Sequence, residues 1–154
     1  MTTRNPPPSQ LSSHLGFWLR YVSNHVSSAF ARKVENHGVT VAEWVLMRHL
    51  LDAPALAPSR LAERMGMTRG AISKLSERLL AKALVKRTDD PSDGRAHALS
   101  LTGAGRQLVP QLAALADRND AEFFEHLTDK ERASLLRILK GIVSRQKLTR
   151  IPVD

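Results

Sequence analysis

Residues 59–84 constrain the fold of this chain more than any other segment. SRLAERM reads as a short helix with Pro58 as its first residue, where a missing N–H costs nothing. Gly66-Met67-Thr68 interrupts the pattern, and Thr68 then caps a second helix through RGAISKLSERLLAKAL. Ile72, Leu75 and Leu79 recur at steps of three and four, so they share a buried face. Two helices joined by so short a turn form a helix-turn-helix, whose second helix enters the DNA major groove.

The periodicity changes after Leu84. Val85-Lys86-Arg87-Thr88 and Ala96-His97-Ala98-Leu99-Ser100-Leu101 flank a turn-rich Asp89-Asp90-Pro91-Ser92-Asp93-Gly94, which predicts a β-hairpin. A helix-turn-helix followed at once by a hairpin is a winged helix. Upstream, apolar residues at Leu11, Leu15, Trp18, Val22, Val26, Phe30 and Val34 predict one long helix, stopped at Asn36-His37-Gly38. Thr40-Val41-Ala42-Glu43 is a capping box opening the next helix, which Asp52-Ala53-Pro54 ends. Downstream, Thr102 starts a helix carrying Leu108, Leu112, Leu115, Phe123 and Phe124, with a break expected near Asp117–Asp120. A second capping box, Thr128 to Glu131, opens a last helix bearing Leu135, Ile138, Leu139, Ile142 and Val143. The fold class expected is mainly α with a small β-hairpin wing: a winged helix-turn-helix flanked by N- and C-terminal helices.

Composition narrows the partners. Lys and Arg number 23 against 15 Asp and Glu, a net charge of +8, which favours a polyanion. Residues 57–97 hold nine Lys/Arg against five Asp/Glu, whereas residues 98–154 hold nine against seven, so basicity is denser around the helix-turn-helix. Cysteine is absent, which removes thiol catalysis, thiolate metal ligands and thiol redox sensing. No Gly-rich phosphate loop or nucleophile elbow occurs, so no enzyme is expected. The six histidines include no HxxxH or HExxH pair. His14 and His25 stand about 16 Å apart along a helix, too far to chelate one ion. No metal is therefore expected, unless distant segments assemble a site. No run approaches 18 apolar residues and MTTRNPPPSQ lacks an apolar signal core, so no membrane association and a cytoplasmic location are expected. The prolines at Pro6–Pro8 predict a disordered lead-in over residues 1–10.

The segment from Ser59 to Thr102 resembles the MarR family of bacterial transcription regulators. Its most specific piece is Asp93-Gly94-Arg95 followed by Ala98-Leu99-Ser100-Leu101-Thr102, similar to that family's wing signature. The resemblance extends over Leu11–Gln146. It implies a single domain over residues 11–150, with dimerisation helices 11–35 and 105–146 around a DNA-binding part at 40–102. It further implies a homodimer on a pseudo-palindromic operator of double-stranded DNA, more a repressor than an activator. Without cysteine, the oxidation-sensing branch of the family is excluded.

Candidate DNA contacts follow from the residues themselves. Arg69, Gly70, Ser73 and Lys74 lie opposite the apolar face in the N-terminal half of the recognition helix, after the cap Thr68. Arg69 and Lys74 suit guanine edges or phosphates, and Ser73 suits either. Gly70 permits close approach, and the helix N-terminus attracts phosphate. In the wing, Asp93 can orient Arg95 into a minor groove, or the two form only a turn-stabilising ion pair. Arg87 is expected on phosphate, and His97 is a further candidate on the strand face of Arg95. An ordinary solvated polar face remains the alternative for the helix.

The resemblance also implies regulation by a small aromatic or phenolic anion, with no other cofactor. Candidates to meet it are Trp18, Tyr21, His25, Trp44 and Arg48, although Trp18 fits plain core as well. A rival function is an architectural or non-specific DNA-binding protein without effector control.

Overall fold

A computed structural model describes residues 6–90 and 93–153, the side chain of Arg95 excepted. The lead-in expected at 1–10 thus lies partly outside the described residues; residues 6–10 form no regular element. The described residues form six helices and one hairpin: α1 Leu15–Glu35, α2 Val41–Leu51, α3 Pro58–Met65, α4 Arg69–Ala81, β1 Val85–Asp90, β2 Asp93–Leu101, α5 Gly103–Phe124 and α6 Asp129–Arg145.

The first helix starts later than its apolar stripe suggests. Leu11–Ser13 forms a separate 3-10 turn, and His14 is extended. Local hydrogen bonding competes with the helix there: the Ser13 hydroxyl donates to the Gln10 carbonyl at 2.6 Å, and Trp18 Nε1 donates to the Ser12 carbonyl at 2.8 Å. The N-terminal helix is therefore 15–35, not 11–35.

Cap chemistry places the remaining starts. The Thr40 hydroxyl accepts from Glu43 N–H at 3.2 Å while Glu43 Oε2 accepts from Thr40 N–H at 2.9 Å. Thr68, Thr102 and Thr128 cap α4, α5 and α6 with their hydroxyls in the same way. Between α3 and α4, Gly66 adopts φ +61°, a conformation that side chains disfavour.

The two helices expected within 105–146 are present as α5 and α6, but the chain does not break at Asp117–Asp120. There α5 continues unbroken, because Asn119 is buried, donating to the Val26 carbonyl at 3.2 Å and accepting from Lys33 Nζ at 3.0 Å. The junction falls at residues 125–128, where the second capping box restarts the chain.

The hairpin is longer than its sequence suggests. Val85 pairs with Leu101, Arg87 with Leu99 and Asp89 with His97; the register then shifts so that Asp90 pairs with Asp93. Asp93 and Gly94 consequently belong to β2 rather than to the turn, and residues 94–96 fall in the register shift, outside the regular pairing. Leu56 adds a short third edge, exchanging two backbone hydrogen bonds of 2.9 and 2.8 Å with Leu99.

The core lies between α2, α3, α4, α5 and the hairpin. Leu46, Leu50, Leu61, Met65, Ile72, Leu79 and Leu112 are fully buried in it. Burial of such side chains stabilises by about 1.5–3 kcal/mol each. A fully buried carboxylate, Glu43, joins them, and Lys82 Nζ reaches its Oε2 at 2.7 Å. This pair ties the start of α2 to the end of α4. By contrast α6 buries none of its residues, and Leu15, Ile138 and Ile142 stand 82%, 50% and 43% exposed.

Candidate nucleic-acid interface

The recognition helix is fixed by its inner face. Ile72, Leu75, Ser76 and Leu79 are buried, and Ser76 satisfies its hydroxyl on the Ile72 carbonyl at 2.7 Å. Rigid anchoring leaves Thr68, Arg69, Gly70, Ser73 and Lys74 exposed together on the outer face. Thr68 Oγ1 accepts the Ala71 N–H at 3.2 Å, which fixes the first turn. Arg69 and Lys74 present their charge to solvent from that turn and the next.

The wing adds a second surface beside this helix. Cross-strand partners share one face of a sheet, so Arg87, Leu99, Asp89 and His97 project to the same side. Leu99 enters the core while Arg87 and His97 stay exposed at its margin. Pro58, Ser73, Glu77, Arg87 and His97 therefore line one small cleft of about 80 Å³ between α4 and the hairpin. Read from sequence, Ser73, Arg87 and His97 are separate candidates; the fold brings them together. Glu77's place in that cleft escapes sequence reasoning, because helix-to-strand proximity has no local signal. The Arg95 side chain, and with it the expected pairing to Asp93, lies outside the described residues.

The five candidate effector residues divide into two groups. Trp18, Tyr21 and His25 form an exposed edge-to-face ladder along α1, with ring centroids 6.4 and 5.0 Å apart. Trp44 instead packs on Phe30 at 6.1 Å, and Arg48 pairs with Asp52 at 2.6 Å on α2. Trp18 also lines a large open groove of about 1040 Å³ between α1, α5 and α6, with Leu15, Leu19, Val22, Phe124 and Leu135. Phe124 and Leu135 are legible in the sequence as apolar positions; their meeting with α1 is not.

Burial, with Arg64 and Arg48 nearby, lowers His49 from its ordinary 6.5. The Thr128 backbone N–H and then its hydroxyl hold Glu131 below its ordinary value at the start of α6. Among the described residues, no group of three His, Asp or Glu stands close enough to hold a metal ion.

Residues 37–96, which span α2 through most of the wing, match the family model of the MarR family. A protein of Thauera aromatica named as a putative transcriptional regulatory protein for the hcr operon is 31% identical over 133 residues, covering 86% of this chain and 80% of its own. The chain belongs to the MarR family. A further relative, the HTH-type transcriptional repressor MdtR of Bacillus subtilis, is 29% identical, covering 79% of each chain. The crystal structure of CouR from Rhodococcus jostii RHA1, bound to p-coumaroyl-CoA, superposes with a TM-score of 0.79 at 25% identity, covering 94% of this chain and 100% of that one. This MarR protein is accordingly a DNA-binding transcription regulator on a winged helix-turn-helix, not an enzyme. No helix among the described residues is long and apolar enough to cross a membrane.

Proposed function

We propose that the chain works in the cytoplasm as a homodimeric, effector-responsive repressor of a pseudo-palindromic operator. One observation carries this reading. A chain that presents an anchored recognition helix also leaves Leu15, Val22, Leu135, Ile138 and Ile142 in solvent on α1 and α6. Apolar surface of that extent is ordinarily covered by a partner, and a second copy supplies a matching surface by symmetry. A two-fold dimer carries two copies of α4, which calls for half-sites roughly 34–36 Å apart.

Within this reading Arg69 and Lys74 meet base edges or phosphates, Ser73 supports either, and Thr68 with Gly70 allows close approach. Arg87 and His97 meet phosphate from the wing, and Arg95, oriented by Asp93, enters the minor groove. The repressor role is supported by the relative named as one. An effector of aromatic or phenolic acid chemistry is supported by the neighbour bound to p-coumaroyl-CoA and by the exposed ring ladder beside the groove. Such an effector acts by binding one arrangement of dimer arms and winged parts better than another; a coupling of about 1–3 kcal/mol changes DNA affinity roughly 5–150-fold.

The test is sedimentation of the full chain at micromolar concentration, with affinity for a selected duplex and for random DNA measured at fixed salt. A dimer preferring the selected site by about 10³-fold or more is expected. A monomer contradicts the dimeric reading, and near-equal affinities favour a non-specific architectural protein.

A further inference from the structure

The end of α6 does not run free. A Schellman turn closes it: Lys147 takes φ +52°, its N–H donates to the Ser144 carbonyl at 3.2 Å, and Leu148 N–H donates to the Val143 carbonyl at 3.0 Å. That turn directs residues 148–153 away from the helix axis and back onto the winged part. Thr149 and Arg150 then lie directly against Gly66. A Cβ built on Gly66 would stand 2.9 Å from Arg150 Cα and 3.0 Å from the Thr149 carbonyl oxygen. Beyond this contact Ile151 and Val153 pack against the buried core.

Gly66 opens the turn that leads into Thr68 and α4, so the segment touches the structure that sets where the recognition helix begins. The other end of α6 follows α5 after the turn at residues 125–128 and meets it through the solvent-exposed Arg132–Asp120 ion pair. A helix of 17 residues spans about 25 Å. The helix is therefore a rod joined to α5 at one end and, through residues 148–153, to the helix-turn-helix at the other.

We propose that residues 148–153 are a positioning strap: through Gly66 they hold α4 at a fixed distance from α6, and so fix which half-site spacing the dimer accepts. The inference rests on the dimeric, operator-binding reading above. The strap acts through the position of α4. Its effect is on tolerance: with the strap docked, the two recognition helices are held in register; without it, each winged part is held only by α5 and the end of α1, where Phe30 packs on Trp44 and Val34 enters the core. A shift of one base pair moves a half-site by about 3.4 Å along the duplex and also rotates it, which a rigid dimer cannot follow.

The experiment compares the full chain with a chain stopped after Lys147 and with Ile151→Ser. The probes are a duplex selected by the full chain from a random pool, and the same duplex with one base pair inserted or removed between half-sites. The full chain should lose at least about tenfold in affinity on either change, about 1.4 kcal/mol. Both strap variants should sediment as dimers and discriminate by less than about threefold, with hydrogen exchange at the Met67–Arg69 amides accelerated. A merely destabilised protein would lose affinity for every spacing alike, which overturns the proposal. Strap variants that keep the full chain's spacing penalty also overturn it. A full chain with no spacing penalty overturns the dimeric reading and the strap with it. Should the truncated chain fail to fold, Ile151→Ser in the full chain decides between these outcomes.

Discussion

Two glycines at the start of α5, two residues apart, should respond oppositely to the same substitution. Gly105 is buried where α5 crosses the root of the wing. A Cβ there would lie 2.2 Å from the Leu84 carbonyl oxygen and 3.1 Å from Leu101 Cδ2. The oxygen is backbone and already accepts the Thr102 N–H at 3.1 Å, so it cannot rotate aside. Gly105→Ala therefore forces α5 off the hairpin. Overpacking of this kind costs about 1–3 kcal/mol, and a rigid backbone neighbour places it near the upper end. The better helix propensity of alanine returns up to about 1 kcal/mol, leaving a net loss near ~2 kcal/mol. For a chain of this length that lowers Tm by about 4–8 °C. A Cβ on Gly103 meets nothing within 4 Å, so Gly103→Ala should be neutral or raise Tm by up to about 3 °C. Calorimetry at one matched protein concentration reads both, since a dimer's Tm depends on concentration. A Gly105→Ala protein melting at or above wild type would refute the close approach of α5 to the wing.

Three further outcomes follow from the same structure. Lys82→Met strands the fully buried Glu43 carboxylate; because Lys82 is itself 37% exposed and screened by solvent, the loss should be about 2 kcal/mol rather than the ~3–5 of a wholly buried pair, read by urea melts. His49 has a lowered pKa, so the unfolded chain binds a proton that the folded chain resists, and stability should fall as pH drops below 6.5. His49→Gln should flatten that part of the stability profile, and an unchanged slope would mean other groups govern it. A panel of aromatic and phenolic acids should contain a compound that both raises Tm and releases DNA; Trp18→Ala should weaken its binding, and an extensive panel with neither effect would contradict effector control.

Features with local chemistry are legible in the sequence. Thr40, Thr68, Thr102 and Thr128 announce helix starts because each cap bonds an amide three residues on. Gly66-Met67-Thr68 announces the helix-turn-helix, and the apolar steps of α4 give its buried face. Long-range pairing has no such signal. The Glu43–Lys82 pair spans 39 residues, and Glu43 reads locally as nothing more than half of a capping box. The edge at Leu56, the seat of Gly105 on Leu84 and the return of Ile151 to the core are likewise products of tertiary packing. The apolar stripe from Leu11 misleads because serine hydroxyl and indole bonding to the backbone outweighs periodicity over its first turn. Asp117–Asp120 suggests a break from polarity alone, whereas Asn119 is polar and buried because α1 supplies its partners.

If α4 reads sequence while the wing supplies position and charge, arginines on the two elements must fail differently. Titrating a selected operator and random duplex at several salt concentrations with Arg69→Ala and Arg95→Ala tests this most directly. Arg69→Ala should weaken the operator far more than random DNA, narrowing the gap by about 1–3 kcal/mol. Arg95→Ala should weaken both and reduce the slope of log affinity against log salt by about 1 per lost phosphate contact in each subunit. An Arg69→Ala protein that keeps its full operator preference would contradict the claim, whatever the wing variant does.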